Sequence, residues 1–244
     1  MPVRRFAKAT SGGYGAIARS AMVDLAEANG EDARAVLTEP TDFCRLWLFR
    51  HPELDPAVQD RATGGGNAEL SRRGRTQVLR WLELMKPVRI GGVHTSPQTQ
   101  CQVPARALAE AQQLEARADE RLRDQAMGRW QGRVWSEIMR EEDGAVRTFF
   151  AEFGEAKAPD GESLGESVER MLSWWTELMP VSLGKALAVV LPGSLLSGFA
   201  AAMLGMRLAR CVSLNLPHGG LGVLDVFQNG SRVACWNPDA VGED

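Results

Sequence analysis

Leu46-Trp47-Leu48-Phe49-Arg50-His51-Pro52-Glu53 is a short apolar run that ends in a guanidinium, an imidazole and a helix-breaking proline. A run of uncharged aromatic and aliphatic residues predicts a buried β-strand. Arg50 and His51 then fall at its C-terminal end, which is where ligands bind in an open α/β sheet. One stretch thus suggests both a fold class and a place for chemistry.

The surrounding composition narrows the function classes. A chain of 244 residues, 44% of them hydrophobic, buries one large core more readily than two small ones. The net charge of -3 gives no global attraction to nucleic acid or to an anionic membrane, so any anion site is local. The four cysteines, Cys44, Cys101, Cys211 and Cys235, are far apart and form no CxxC or Cys/His pairing, which argues against zinc and against a disulfide framework. They predict buried thiols in a reducing, cytoplasmic setting. Only His51, His94 and His218 can supply an imidazole. Residues 186–206 carry no charge and have the length of a membrane span. Pro192, Gly193 and Ser194 interrupt them, however, and the β-branched first half and Ala/Leu/Met-rich second half predict strand, turn and helix, with no membrane partner.

Along the chain, residues 1–42 form an N-terminal extension with a helical pattern from Tyr14 to Ala28; the acids Asp24, Glu27, Glu31 and Asp32 do not suit a targeting peptide. Residues 43–238 are expected to form a single domain, and 239–244 a tail. The loop Pro52–Ala68 contains Gly64-Gly65-Gly66, but no Lys-Ser/Thr follows, so it predicts an ordinary loop rather than a phosphate cradle. Ser71 is a suitable N-cap for a helix to about Met85. A second strand is expected over Val88–Thr95, a helix through Leu114, and further strands at Ala186–Leu191 and Val223–Phe227.

Several of these segments carry a resemblance. Arg50-His51-Pro52 is similar to an Arg-His-Gly strand end with proline in the glycine's place. Leu70-Ser71-Arg72-Arg73-Gly74-Arg75-Thr76-Gln77 resembles Leu-Thr-x-x-Gly-x-x-Gln, and Thr95-Ser96-Pro97 resembles Ser-Ser-Pro. Leu122-Arg123-Asp124 with Gly128 and Gly132 looks like Leu-x-Glu-x-x-x-Gly-x-x-x-Gly. Pro159-Asp160-Gly161-Glu162-Ser163, with Arg170 beyond it, resembles Pro-x-Gly-Glu-Ser. Pro192-Gly193 stands where His-Gly is expected, and Asn215-Leu216-Pro217-His218-Gly219 precedes the last strand named above. Order and spacing over roughly residues 44–236 resemble the histidine phosphatase superfamily, the phosphoglycerate mutase-like enzymes, with Pro52 similar to the ribazole phosphatase branch. The resemblance implies an α/β fold: a mostly parallel sheet with helices on both faces.

It also implies a chemistry. Hydrolysis through a phosphohistidine needs an imidazole nucleophile, cations on the equatorial oxygens and a proton for the leaving group. The resemblance assigns the nucleophile to His51, the first arginine to Arg50 and the acid to Asp124, one methylene shorter than the usual glutamate. The second arginine falls on Gln100, which has no charge and no bidentate fork. The second histidine falls on Pro192, which has no side-chain donor and no N–H. Glu162, Ser163 and Gly193 are expected beside the same pocket, and His94 or His218 is a candidate replacement imidazole.

Loss of one preorganised donor costs about 10² to 10³ in rate, and two losses about 10⁴ to 10⁶ if they add. The expectation is a pseudophosphatase that binds a small phosphorylated or polar metabolite, or a protein. The alternative is an active phosphomonoesterase using His51 and Asp124 in a rearranged pocket. No metal or organic cofactor is implied. Trp174 and Trp175 are adjacent on a predicted helix and cannot both point into one core stripe, so one ring is expected at a pocket rim or an interface with a protein partner or a second copy.

Overall fold

The first strand, β1 (Cys44–Arg50), alternates as a doubly covered strand must. Cys44, Leu46 and Leu48 enter one core layer, while Phe49 enters the other with Trp47 packed against it. β4 (Ala186–Leu191) does the same, sending Leu187, Val189 and Leu191 one way and Ala188 and Val190 the other. These are the two central strands. The computed structural model describes residues 43–237. The expected helix at 14–28 and the tail at 239–244 lie outside the described residues.

The remaining strands are β2 (Gly92–Thr95), β3 (Ala116–Ala118), β5 (Leu221–Phe227) and β6 (Gly230–Trp236), in the sheet order β3-β2-β4-β1-β5-β6. The four from β3 to β1 are mutually parallel, and β5 and β6 complete one edge antiparallel. This is the expected α/β sheet with helices on both faces. Helices α1 (Arg72–Met85) and α2 (Thr99–Ala111) cover one face through Trp81, Met85, Cys101, Ala105 and Leu108. Helices α5 (Leu164–Leu178) and α6 (Gly193–Met203) cover the other through Val168, Met171, Leu196 and Phe199. Two short helices, α3 (Trp135–Glu141) and α4 (Asp143–Ala151), build a satellite cluster around Trp130, Ile138 and Phe149.

Three sequence expectations need correction. The second strand starts at Gly92 rather than Val88, because β4 begins at Ala186 and pairs Leu187 with Gly92, leaving residues 88–90 no strand to join. α2 stops at Ala111 rather than Leu114; Gln113 has φ of 57°. Trp174 and Trp175 are both core residues, 3% and 2% exposed. α5 is covered on two adjacent sides, so Trp174 packs on His94 at 5.4 Å between ring centroids and Trp175 on Phe199 at 6.5 Å.

Helix α1 positions the functional end of β1. Ser71 caps it by accepting from the Gly74 N–H at 2.9 Å, and its own hydroxyl donates to Glu53 at 2.7 Å. Gln77 accepts from the Glu53 N–H and donates to the His218 carbonyl, while the Trp81 indole donates to the Gly219 carbonyl. One helix face thus clamps both the turn after His51 and the loop before β5.

Gly74 lies inside α1, where alanine would ordinarily gain about 1 kcal/mol. A Cβ there would overlap the Glu53 carbonyl oxygen. Gly74→Ala is therefore expected to destabilise the protein by about 1–3 kcal/mol, measured by chemical denaturation; an increase in stability would show that the α1 contact with the Glu53 turn is not tight.

Candidate active site

Two backbone hydrogen bonds hold the end of β1. Arg50 N–H donates to Gly220 O at 3.0 Å and His51 N–H to Leu191 O at 2.9 Å. The chain after β4 begins α6, with Pro192 as its N-cap. Arg50 and His51 therefore leave the sheet between the α6 N-terminus on one side and the 215–220 loop on the other.

His51 is only 7% exposed. Its Nδ1 lies 2.9 Å from the Pro52 carbonyl oxygen. A carbonyl only accepts, so Nδ1 carries the proton and Nε2 keeps the lone pair. Burial, the neighbouring His218 and Arg50 hold the ring neutral, lowering its pKa to about 3 against the Pro52 bond. The imidazole is thus presented as a base or nucleophile at Nε2.

Arg50 is engaged on its far side. Its Nη1 donates to Asn215 Oδ1 at 3.1 Å and to the Leu216 carbonyl, and its Nη2 donates to His218 Nε2 at 3.3 Å. An arginine cannot accept, so His218 is neutral with its proton on Nδ1. Burial and then Arg50 lower the His218 pKa to about 4. The rings of His51 and His218 are 4.9 Å apart. The space for the guanidinium depends on Gly193, where a Cβ would lie 2.6 Å from Arg50 Nε.

Asp124 reaches the same place from the loop after β3. Ser194 Oγ donates to its Oδ1 at 2.7 Å, and the Gln125 N–H donates to the same oxygen at 2.9 Å. No hydrogen bond to Oδ2 is present among the described residues. Burial raises the carboxyl to about 6, against the Ser194 and Gln125 bonds and the more distant charges of Arg50 and Arg170. A carboxyl that titrates near neutrality with one free oxygen is suited to proton donation.

The other predicted positions are engaged in contacts of their own. Gln100 is 3% exposed, and its amide is spent on a loop: Oε1 accepts from Ala68 N–H and Nε2 donates to Gly66 O, both at 3.0 Å. Glu162 receives Arg123 at 2.8 Å and two bonds from Arg170 at 3.1 and 2.9 Å, and accepts from Ala126 N–H. Ser163 forms a capping box with Glu166. Glu162 therefore braces the loop that carries Asp124, and Ser163 starts α5. His94 packs on Trp174 beneath α5 instead of joining His51, and burial lowers it to about 4.

Two contributors escape a reading of the sequence. Ser194 reads there only as part of a strand-to-helix turn, although a polar residue within the uncharged 186–206 run is itself a signal. Gln98 links the site's loops, accepting from Ser96 Oγ and Asp124 N–H at 2.8 Å and donating to Gly64 and Gly66 carbonyls. A glutamine in a helix-entry loop carries no such mark.

The family model of the histidine phosphatase superfamily, branch 1, matches residues 46–239. A probable phosphoglycerate mutase, GpmB, of Klebsiella pneumoniae is 25% identical over 199 residues, covering 82% of this chain and 93% of the relative. The adenosylcobalamin/alpha-ribazole phosphatase of Escherichia coli is 23% identical over 198 residues, covering 81% and 98%. Among solved structures, the alpha-ribazole phosphatase of Shigella flexneri superposes with a TM-score of 0.73 at 23% identity, over 82% of this chain and 99% of that one. A mycobacterial glucosyl-3-phosphoglycerate phosphatase gives 0.71 at 25% identity, over 79% and 98%.

The Asp124 carboxyl is expected to titrate near 6 by carbon NMR, and Ser194→Ala to move it higher, because the lost bond stabilises the anion. An unchanged or lower value would contradict the contact. The folded pKa is raised above the ordinary 3.8, so its contribution to stability is fully present below 3.8 and is lost as pH rises through about 6. Asp124→Asn should remove that part of the pH dependence in denaturation curves.

Proposed function

Because the chain belongs to the histidine phosphatase superfamily, we propose that it is a phosphoester-binding member in which phosphohistidine turnover is lost or greatly slowed. Its ligand is a small phosphorylated or polar molecule held beside Arg50 and His51, in a cytoplasmic setting consistent with four free thiols. The observation that carries this reading is the state of Gln100. Both ends of its amide are tied to the loop at Gly66 and Ala68, so it offers a phosphate no positive charge and no bidentate fork, at most the second N–H of its amide. Pro192 adds neither charge nor donor. Nucleophile, acid and one guanidinium remain. Phosphoryl transfer is accelerated mainly by stabilising charge on the transferring group, and here that stabilisation rests on Arg50.

A second reading has a specific observation in its favour. An active phosphomonoesterase would use His51 as nucleophile, Asp124 as acid and His218, 4.9 Å away, as the replacement imidazole. The relatives include proteins named as phosphatases and as mutases. Against it, His218 approaches from the β5 side rather than from Pro192, and accepts a hydrogen bond from Arg50 in its neutral form. It brings no positive charge of its own.

With 4-nitrophenyl phosphate, steady-state hydrolysis is expected at about 10⁴ to 10⁶ below an intact enzyme of this chemistry, and His51→Ala is expected to lower even that remainder. Turnover at ordinary enzyme rates that His51→Ala abolishes would establish the second reading instead. Gln100→Arg combined with Pro192→His is expected to raise the rate by at least about 10²; continued inactivity would mean that other positions are also responsible.

A further inference from the structure

We infer that the site around Arg50 and His51 selects a singly charged oxyanion, such as a phosphodiester, over the dianion of a phosphomonoester. The inference rests on the proposed role of this pocket as a ligand site and names the ligand class it takes.

Each element that faces the site adds to, or withholds from, its charge. From β1 comes the Arg50 guanidinium, the one cation among the described residues with contacts directed at His218 and the α6 N-terminus. His51 and, from the 215–220 loop, His218 are neutral, because burial and the Arg50 charge disfavour the imidazolium of each and His218 accepts from Arg50. Gln100 from α2 and Pro192 before α6 are uncharged. Arg170 from α5 and Arg123 from the acid loop share the one carboxylate of Glu162, a triad of net charge +1 that is turned to the backbone of the acid loop, where Arg170 donates to the Arg121 and Arg123 carbonyls, and that has no contact with Arg50 or His51 among the described residues. Glu53, beside the His218 loop, receives Ser71 and adds only negative charge. Asp124 is the remaining titrating group, faced by Ser194 from α6, Gln125 N–H from its own loop, and Arg50 and Arg170 at longer range.

The local sum of Arg50 and Asp124 is therefore +1 with Asp124 protonated and zero with it ionised. A dianion would leave a net charge of -1 or -2 in a largely buried site, and uncompensated buried charge is costly. A monoanion is neutralised completely in the acid form. Neutral donors for it are at hand: Leu196 N–H is bonded back to Pro192 O, which leaves the amides of Gly193, Ser194 and Leu195 as the open first turn of α6. Such dipoles suit one negative charge but do not replace two lost cations.

Methylphosphonate and its monomethyl ester test this on the full chain by titration calorimetry, since the P–C bond keeps the phosphonate intact even if the protein hydrolyses phosphate esters. At about pH 9, above the second ionisation of the acid, the ester, a monoanion throughout, is expected to bind about tenfold tighter or more than the doubly charged acid. The gap should close towards about pH 5.5, where the acid takes up a proton. Asp124→Asn keeps the Ser194 and Gln125 acceptor and should remove the ester's own loss of affinity with rising pH. Tighter binding of the dianion at about pH 9, a gap that does not close, or no saturable binding of either probe would overturn the inference. Rapid aryl phosphate hydrolysis would instead overturn the functional reading alone, leaving the preference between the probes measurable.

Discussion

The hydrogen bond from His51 N–H to Leu191 O closes the pairing of the two central strands, and the rest of the site is placed by it. It fixes the register in which Arg50 lies opposite Leu191, so that the guanidinium emerges over Gly193 at the start of α6. A slip of one residue would exchange the two faces of β1, sending Leu46 and Leu48 away from α5 and α6 and moving His51 off the pocket. Because both faces are buried under helices, that slip would also cost the burial of several large side chains, each about 1.5–3 kcal/mol. Core packing is what aims the imidazole.

Around that fixed point, hydrogen bonds stand where charges would be needed for phosphoryl transfer. Gln100 ties α2 to the Gly66–Ala68 segment, and Gln98 ties the same segment to the backbone of Asp124. Glu162, with Arg123 and Arg170, stiffens the loop from the other side. Removing either arginine would leave a half-buried carboxylate short of a partner, which is where such networks become costly. The acid loop is therefore rigidly built although the cationic part of the site is sparse. On the functional reading proposed above, that combination serves to hold a ligand in one orientation more than to stabilise a trigonal phosphoryl group.

Much of this is legible in the residues. The strand at 186–191, the Ser71 cap and the helix beginning after Ser163 follow from periodicity and cap chemistry, which are local. The pairing partners are not local. Val88–Ile90 look like strand but have no strand neighbour among the described residues, since β4 begins only at Ala186. Two adjacent tryptophans look impossible to bury on one helix stripe until α6 and the β2 side are seen to cover two sides of it. His94 and His218 are indistinguishable as candidates in the sequence, because a strand end and a loop give no distances; the structure puts one on Trp174 and the other on His51. Ser194 is hidden for the same reason, its partner Asp124 being 70 residues away.

Whether His51 ever carries a phosphoryl group decides between the two readings of the site. Rapid mixing with an aryl phosphate, a quench after one expected turnover time and intact-mass measurement would detect the covalent adduct on the whole chain. A protein whose equatorial-oxygen stabilisation rests on Arg50 should show no added phosphoryl mass and no burst of released phenol. A stoichiometric burst with the mass gain located on His51 would contradict this and make the site a working phosphotransfer centre.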